Sequence, residues 1–288
     1  MEEINIKAAA KINLALDIKN KRDDGYHEVA TIMHSTALFD NLFIKKVYKP
    51  DYLKVVSNIV WLPTDDKNLA YRAAEYLKAR FAVETGIFVN LTKNIPVSAG
   101  LGGGSANCAA ALKGVRNLFK LPLTDADLAE LGAKFGADVP FCVKGGAALA
   151  TGIGEKLTPL RKLPFCHILL VKPPVIVSTE EVFRDFDPAK VKARPDIEKL
   201  VYFLENKDLS GLAANMVNVL ESVTAAQNPI IYAIKEEIMA LGALGAAMTG
   251  SGPTVFGIFE RRESAERAMA VIKAKYPDFT EIFLTKSQ

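Results

Sequence analysis

Apolar residues occupy every even position from Ile4 to Ile18 at the start of the chain. A period of two is typical of a β-strand with one buried face, so these residues predict a strand or a pair of strands. Lys11, Asn13 and Asp17 share the opposite face. A solvated strand face accounts for most lysines in such a position. The alanines near Lys11 are small, however, and leave room for a ligand beside Lys11 and Asn13.

The same kind of pattern predicts the elements that follow. Runs of β-branched and aromatic residues predict strands, at residues 28–36, 39–47, 52–60, 87–91, 147–151, 166–172, 245–248, 254–259 and 280–284. Helical spacing or alanine-rich composition predicts helices, at residues 68–81, 106–119, 124–136, 196–205, 209–221, 229–241 and 263–275. A capping sequence at residues 178–181 starts one further short helix. In the second half, the alternation predicts antiparallel strands with helices on one face, an α+β sandwich.

A polar segment flanked by prolines interrupts this pattern at residues 157–164. The chain has 288 residues, and domains commonly hold ~100–200 residues, so the length suits two domains. We therefore expect one domain at residues 1–160 and a second at residues 161–288.

Four glycines lie within five residues in the segment 96–106, PVSAGLGGGSA, between a predicted strand and a predicted helix. In this arrangement backbone N–H groups converge on an anion, and glycines let a phosphate approach the backbone. The segment lacks the Lys-Ser/Thr pair of a Walker loop, and it lacks the third glycine of the dinucleotide and protein-kinase loops. A tight turn that packs a helix on a strand is the alternative. The helix directly behind the segment favours phosphate binding.

Three other positions have both a structural and a functional interpretation. His27 follows a polar turn and is either a surface-loop histidine or part of a site. Asp138 precedes Pro140, which disfavours helix at the residue before it, so Asp138 lies at a joint and could simply cap the next helix. The turn at residues 249–253 is a second glycine-rich loop or a plain β-hairpin.

Composition and charge exclude several classes of protein. The net charge is +3, with acidic and basic residues interspersed, which predicts no nucleic-acid partner and no membrane surface. The three cysteines have no C-x-x-C spacing and the three histidines form no cluster, so we expect reduced core thiols and no structural zinc. We find no signal-peptide pattern and no apolar run near the ~20 residues of a membrane span. We expect a cytoplasmic protein, either a monomer or a weak homodimer.

The order of the candidate motifs resembles that of the GHMP kinases, which include galactokinase, homoserine kinase and mevalonate kinase. The motifs are Lys11 with Asn13, the P-x-x-x-G-L-G-G-G-S loop, Asp138-Val-Pro, and Gly-Ser-Gly at 250–252. The resemblance spans nearly the whole chain. It implies an α+β fold of two domains: an N-terminal ribosomal-protein-S5-domain-2-like α/β domain that binds ATP, and a C-terminal ferredoxin-like α/β sandwich.

The segments A-K-I-N-L at residues 10–14 and D-G-Y-H at residues 24–27 narrow the resemblance to one activity. It is ATP-dependent phosphorylation of the 2-hydroxyl of 4-diphosphocytidyl-2-C-methyl-D-erythritol, a step of isoprenoid precursor synthesis. The resemblance implies Asp138 as the catalytic base and Lys11 as the cation beside it. Small molecules, ATP and this substrate, are then the partners, and Mg²⁺ accompanies ATP without a dedicated cage of carboxylates.

The resemblance also assigns binding residues. For ATP it implies Pro96, Gly100, Leu101, Gly102, Gly103, Gly104, Ser105 and Ala106, with Asn68, Leu69 and Lys93 bordering the adenine. For the second substrate it implies Asn13, Tyr26, His27, Thr179, Phe183, Gly250 and Gly252. Tyr26 and Phe183 would sandwich the pyrimidine, and His27 would read its edge. One position departs from many members of the superfamily, since Asn107 stands where they carry an aspartate.

Two alternative functions remain at this point. Another GHMP small-molecule kinase, of the homoserine or mevalonate type, is disfavoured by the D-G-Y-H segment and Phe183. A non-catalytic nucleotide- or RNA-binding module is disfavoured by Lys11 and Asp138, and by the absence of a basic face in the charge pattern.

Overall fold

The computed structural model describes residues 2–288. Within them the strands are β1 Glu3–Lys21, β2 His27–Val47, β3 Leu53–Ser57, β4 Gly86–Thr92, β5 Ala147–Thr151, β6 Lys156–Pro159, β7 His167–Lys172, β8 Gly245–Met248, β9 Val255–Phe259 and β10 Glu281–Lys286. The helices are α1 Leu69–Arg80, α2 Gly103–Phe119, α3 Asp125–Ala133, α4 Val139–Lys144, α5 Thr179–Arg184, α6 Ile197–Glu205, α7 Leu209–Ala214, α8 Glu221–Gln227, α9 Ile230–Ala240 and α10 Arg262–Lys275. A short 3-10 helix spans Pro188–Lys190.

The strands form two sheets. The first has six strands in the order β3-β4-β2-β5-β6, with β1 also paired to β2. Strand β2 has 21 residues, so its two ends pair with different neighbours. Residues 41–47 pair antiparallel with β4, and residues 31–34 pair antiparallel with β5. Strands β3 and β4 are parallel.

The second sheet has the order β10-β7-β9-β8, and every neighbouring pair in it is antiparallel. Central strand β7 carries four consecutive buried residues, Ile168 to Val171, which is typical of a strand covered on both faces. The α+β class and the antiparallel sheet in the second half of the chain are confirmed.

The chain divides into two compact units that are interleaved along the sequence. The first holds the described residues up to Ala10 with Leu38–Val97 and Gly102–Gly145, and the second holds Lys11–Ala37, Ser98–Leu101 and Gly146–Gln288. Each unit has its own apolar core. The expected domain boundary between residues 160 and 161 stays a prediction.

Alanines dominate the packing of the first unit. Helix α1 buries Ala70, Ala73 and Ala74, and α2 buries Ala109, Ala110 and Ala111 in the same core. Such small side chains let helices pack closely on each other and on a sheet. The core of the second unit contains larger side chains, such as Ile234, Phe259 and Ile272.

Most predicted elements lie where the sequence places them, with three differences. The two runs at 28–36 and 39–47 form one continuous strand, β2, and the polar segment after residue 155 contains an additional strand, β6. The helix predicted at 209–221 was wrong in part, because it breaks after α7 and resumes at α8. Asn218 lies in the break, where its side-chain amide donates to the carbonyls of Met248 and Gly250 at 2.8 Å each. The backbone in the break pairs with β1 instead, since the N–H of Leu16 donates to the carbonyl of Val217 and the N–H of Val219 donates to the carbonyl of Leu16, at 3.0 Å each.

The thiols fit the predicted core positions. Burial raises the pKa of Cys108 to about 12 and that of Cys166 to about 11, so both are protonated and unreactive at neutral pH. Cys142 is partly buried. Within residues 2–288, no helix combines the length and the apolar character that crossing a membrane requires.

Buried His34 gives a prediction about stability and pH. Its Nδ1 lies 2.7 Å from the carbonyl of Ser35, and its Nε2 accepts from the N–H of Leu163 at 3.0 Å. Burial lowers the pKa of His34 to about 4, below the ~6.5 of an exposed histidine. The unfolded chain then binds a proton that the folded chain does not. We expect urea unfolding to show a loss of up to about 3 kcal/mol of stability as pH falls from ~6.5 to ~4.

The variant His34→Gln is the control, because glutamine keeps a donor and an acceptor but does not titrate. Its stability should fall less over the same pH range. An equally steep fall in the variant would show that other groups cause the acid sensitivity.

Candidate functional site

The backbone of the glycine loop changes handedness at every second residue. Ser98, Gly100 and Gly102 have positive φ angles of 52°, 73° and 67°. Alternation of this kind turns successive N–H groups toward one side and forms a concave anion-binding nest. Helix α2 starts at Gly103, three residues before the predicted start, and no side chain caps it. Its first N–H groups have no partner within the helix, so the loop and the helix start together fit a phosphate.

The close approach of other groups explains two of the glycines. A Cβ on Gly100 would lie 2.1 Å from the carbonyl oxygen of Thr249, and one on Gly103 would lie 3.1 Å from Lys93 Nζ. Gly104 is exposed, and a Cβ there would meet only Leu69 Cδ1 at 3.8 Å. Gly104 therefore has space around it, whereas Gly100 and Gly103 do not.

Lys11 is buried in β1 and makes hydrogen bonds through both its backbone and its ammonium group. Its N–H donates to the carbonyl of Leu101 at 3.0 Å, and its Nζ donates to Asn13 Oδ1 at 2.7 Å. Asn13 in turn donates from its side chain to Thr31 Oγ1 at 2.8 Å and from its backbone to Thr249 Oγ1 at 3.1 Å. Asn13, predicted to contact substrate, thus lies buried beside Lys11 and orients its ammonium group. Its contact with substrate stays a prediction.

Thr249 and Thr31 are missed by the sequence reasoning. Thr249 Oγ1 lies 3.2 Å from both Asn13 Oδ1 and the carbonyl oxygen of Gly100. The position of Thr249 directly before the glycine-rich turn at residues 250–252 could have indicated a role near the site. Thr31 carries no comparable signal, because it is one polar residue within a long strand.

The second glycine-rich loop connects β8 to β9, so the hairpin interpretation is correct for its backbone. The loop also reaches the buried lysine, since a Cβ on Gly250 would lie 3.2 Å from Lys11 Nζ. Ser251 Oγ lies 2.8 Å from Thr179 Oγ1 at the start of α5. Gly252 has a φ of 86°, and a Cβ there would lie 2.5 Å from a methionine sulfur. The structure thus brings Gly250, Lys11, Asn13 and Gly100 together within the second unit.

Arg22 holds the turn that presents Tyr26 and His27. Its N–H donates to the Tyr26 carbonyl at 2.8 Å, and its guanidinium pairs with Asp24 at 2.8 Å and with Glu28 at 3.3 Å. Tyr26 remains 61% exposed at the tip of this turn, so its ring is accessible to a ligand.

His27 lies in an aromatic cluster. Its ring centroid is 5.8 Å from that of Phe183 and 6.3 Å from that of Phe186, which the sequence reasoning missed. Burial, and to a lesser extent the charge of Lys21, lower the pKa of His27 below its ordinary value. A neutral imidazole, with one donor and one acceptor nitrogen, is therefore favoured at neutral pH. Of the residues predicted to bind the pyrimidine, the structure brings His27 and Phe183 together.

Asp138 occupies the N-cap position of α4, but its side chain makes no capping hydrogen bond. Asp138 therefore has the position of a helix cap, as the structural interpretation expected, but its carboxylate does not cap the helix. The segment before it approaches the glycine loop, since a Cβ on Gly136 would lie 3.8 Å from Ser105 Oγ. Asp138 belongs to the first unit and Lys11 to the second, and the predicted pairing of the two stays a prediction.

The residues expected to border the adenine lie around the start of α2. Asn68 caps α1 by accepting from the N–H of Ala70 at 2.9 Å, and Leu69 lies beside Gly104. The side chain of Asn58 bonds to both the N–H and the carbonyl of Lys93, at 2.7 and 3.1 Å. Capping of α1 gives Asn68 a structural role. The predicted contact between Asn68 and adenine stays a prediction. Pro96 and Ala106, at the two ends of the loop, are buried.

No group of three or more His, Cys, Asp or Glu side chains within residues 2–288 could hold a metal ion.

Two family models match the chain. The one described as GHMP kinases N terminal domain matches residues 68–146, and the one described as GHMP kinases C terminal matches residues 200–278. The first range contains the glycine loop and Asp138, and the second contains the loop at 250–252. Together with the two-sheet α+β fold, these matches define the class of protein, an ATP-dependent small-molecule kinase of the GHMP type.

More specific relatives agree. A protein of Caldicellulosiruptor bescii named 4-diphosphocytidyl-2-C-methyl-D-erythritol kinase is 47% identical over 270 residues, which cover 94% of each chain. A crystal structure of 4-(cytidine 5'-diphospho)-2C-methyl-D-erythritol kinase, 30% identical, has a TM-score of 0.83 and covers 99% of this chain and 100% of its own. A homoserine kinase from Cytophaga hutchinsonii has a TM-score of 0.80 over 100% of this chain and 95% of its own, but at 20% identity it shows the fold alone. The chain belongs to the family of 4-diphosphocytidyl-2-C-methyl-D-erythritol kinases, as its motifs predicted.

The environment of Gly100 predicts a large effect of a single methyl group. In Gly100→Ala the Cβ would be forced against the Thr249 carbonyl, and the left-handed φ would be strained. We expect urea unfolding to show a loss of about 2 kcal/mol or more. Gly104→Ala is the matched control and should change stability by less than about 1 kcal/mol, because its surroundings are open and alanine favours helix. Equal effects of the two substitutions would contradict this account of the loop.

Proposed function

We propose that this chain transfers the γ-phosphoryl group of ATP to the 2-hydroxyl of 4-diphosphocytidyl-2-C-methyl-D-erythritol. The observation that carries the proposal is the identity of 47%, over nearly the whole length, with a kinase named for this substrate. The aromatic cluster around His27 supports the same substrate, because it offers flat apolar faces suited to a nucleobase.

ATP binding is assigned to the first glycine loop. Backbone N–H groups from Gly100 to Ser105 and the dipole of α2 stabilise the negative charge of the phosphates. Asn68, Leu69 and Lys93 border the adenine. Mg²⁺ would be held mainly by the phosphate oxygens, and when bound it supplies positive charge next to the transferred group.

Asp138 is the proposed base. Its carboxylate accepts the proton of the substrate hydroxyl while the new oxygen–phosphorus bond forms and the bond between the γ-phosphorus and the leaving oxygen of ADP breaks. The ammonium of Lys11 stabilises negative charge that develops in this step. Asn13 keeps that ammonium in one orientation through the 2.7 Å hydrogen bond.

The cytidine end is assigned to Tyr26, His27 and Phe183, with Thr179, Gly250 and Gly252 near the remaining polar part. A base stacked against aromatic rings gains about 1–3 kcal/mol. The neutral imidazole of His27 offers a donor and an acceptor to the pyrimidine edge. The substrate of a homoserine- or mevalonate-type kinase carries no nucleobase that could stack on this aromatic cluster. The cluster therefore disfavours that alternative.

Replacing Asp138 tests the base. In Asp138→Asn we expect kcat to fall by about 10²–10⁴-fold, because the amide cannot accept the proton. KM for ATP should change little. Circular dichroism and urea unfolding check that the variant keeps the fold. Steady-state kinetics with both substrates measure this.

Asp127→Asn serves as a control for Asp138→Asn. Asp127 accepts hydrogen bonds from Thr124 in the capping box of α3, so its loss lowers stability without touching the reaction. Near-normal turnover in Asp138→Asn would refute the base assignment.

Replacing Phe183 tests recognition of the cytidine. In Phe183→Ala we expect KM for the cytidylylated substrate to rise about tenfold or more through lost stacking, with KM for ATP nearly unchanged. Phe165→Ala is the matched control, because Phe165 also pairs with a histidine ring, His167 at 5.1 Å, in the same unit. Equal changes in both KM values for Phe183→Ala would contradict the proposed stacking.

A further inference from the structure

A buried ion pair lies beneath the start of α2. One of its members, Lys93, is proposed above to border the adenine, and neither member has a role in the proton or phosphoryl transfer. Lys93 is 7% exposed and Asp40 is fully buried, and the two side chains form a salt bridge. Asn107, in the second turn of α2, completes the cluster. Its Nδ2 donates to Asp40 Oδ2 at 2.7 Å, and its Oδ1 accepts from Lys93 Nζ at 3.2 Å. Buried charges of this kind are stable only when each is paired and hydrogen-bonded.

The second oxygen of Asp40 holds the backbone ahead of the glycine loop. Asp40 Oδ1 accepts from the N–H of Asn94 at 2.6 Å and from the N–H of Ile95 at 2.8 Å. These two residues lead directly into Pro96, where the loop begins. One carboxylate therefore binds the chain before the loop through one oxygen and the helix after it through the other.

The cluster also lies directly against the helix start. A Cβ on Gly103 would be 3.1 Å from Lys93 Nζ and 3.1 Å from Ile95 Cγ2. Lys93 and Ile95 therefore lie next to the first turn of α2. Because Asp40 neutralises Lys93, the cluster presents no net charge to an anion bound at those groups.

We propose that Asp40, acting through Lys93 and Asn107, is a positioning residue that fixes the two ends of the glycine loop relative to each other and so sets the affinity for the nucleotide. The inference rests on the proposed role of this loop in ATP binding. Four of the five residues from Gly100 to Gly104 are glycines, so the buried Leu101 supplies the one side chain of that stretch. The N–H groups of the loop therefore need a rigid frame to be preorganised for phosphate.

An exchange of amide and carboxylate tests the proposal. Asp40→Asn and Asn107→Asp each preserve the size of the side chain. The first leaves two amides beside Lys93 and the second leaves two carboxylates, so neither keeps the original pairing of one carboxylate, one amide and Lys93. The double variant places the carboxylate on α2 and the amide on β2. The amide oxygen at position 40 can still accept from the N–H groups of Asn94 and Ile95, its NH₂ can donate to the carboxylate at position 107, and Lys93 can pair with that carboxylate. We expect each single variant to raise the Kd of a non-hydrolysable ATP analogue with Mg²⁺ by about ten- to a hundredfold, and the double variant to recover most of the affinity.

The measurement is isothermal titration calorimetry, followed by kinetics with both substrates. In turnover, KM for ATP should follow the Kd, while KM for the cytidylylated substrate should remain close to that of the unaltered chain. Asp125→Asn is the matched control, since it breaks the 2.6 Å pair with Arg116 at the opposite end of α2. It should leave the Kd unchanged.

Several results would overturn the proposal: unchanged affinity in Asn107→Asp, tighter binding in Asp40→Asn, or no recovery in the double variant. If Asp40→Asn does not fold, Asn107→Asp and the double variant decide. The variants could bind nucleotide as expected while the unaltered chain does not phosphorylate the cytidylylated substrate. That result would refute the proposed function but would still support the role of Asp40. An unaltered chain that binds no nucleotide would overturn both.

Discussion

A lysine ammonium held inside a strand is the constraint on which the second unit depends. Lys11 is 4% exposed and lies between residues of an apolar alternation, where an unsolvated charge is costly unless polar groups surround it. Asn13 supplies such a group, and Thr31 and Thr249 hold Asn13 in turn. The glycines at 100 and 250 allow the two loops to approach this group closely. A side chain at either position would enter the space of Thr249 or Lys11.

The start of α2 differs from the starts of those helices that a side chain caps. Side chains cap α1, α3, α5 and α6, through Asn68, Thr124, Ser178 and Asp196. A side-chain oxygen in that position occupies the N–H groups that would otherwise bind a ligand. Helix α2 begins instead with a left-handed glycine. No side chain caps its first N–H groups, and the helix packs on α1 and bonds through Asn107 to the buried Asp40.

The pattern of residues predicts local structure well and long-range polar contacts poorly. The alternation from Ile4 to Ile18 predicts β1, and the capping sequence at Thr124 predicts the start of α3. The break after α7 could not be predicted, because Asn218 bonds to a loop 30 residues away in the chain. The start of α2 was placed late, since glycine has low helix propensity and the first turn owes its conformation to the loop before it.

The same distinction applies to the site. The motifs predict Lys11, the glycine loop and Asp138 as site residues, because their residue types and order are characteristic. Thr249 contacts Asn13 across 236 positions, and Asp40 contacts Asn107 across 67. Neither contact leaves a periodic signal in the sequence. Polar residues that support a site from distant segments are visible only once the fold is known.

The interleaving of the two units makes the halves of this enzyme dependent on each other for folding. The core of the second unit includes Leu16, Ile18 and Val29 from the first two strands. A fragment of residues 161–288 would lack these side chains and expose the apolar surface that they cover. The surroundings that bury Lys11 therefore combine residues from distant parts of the chain, such as Thr31 and Thr249, which both bond to Asn13.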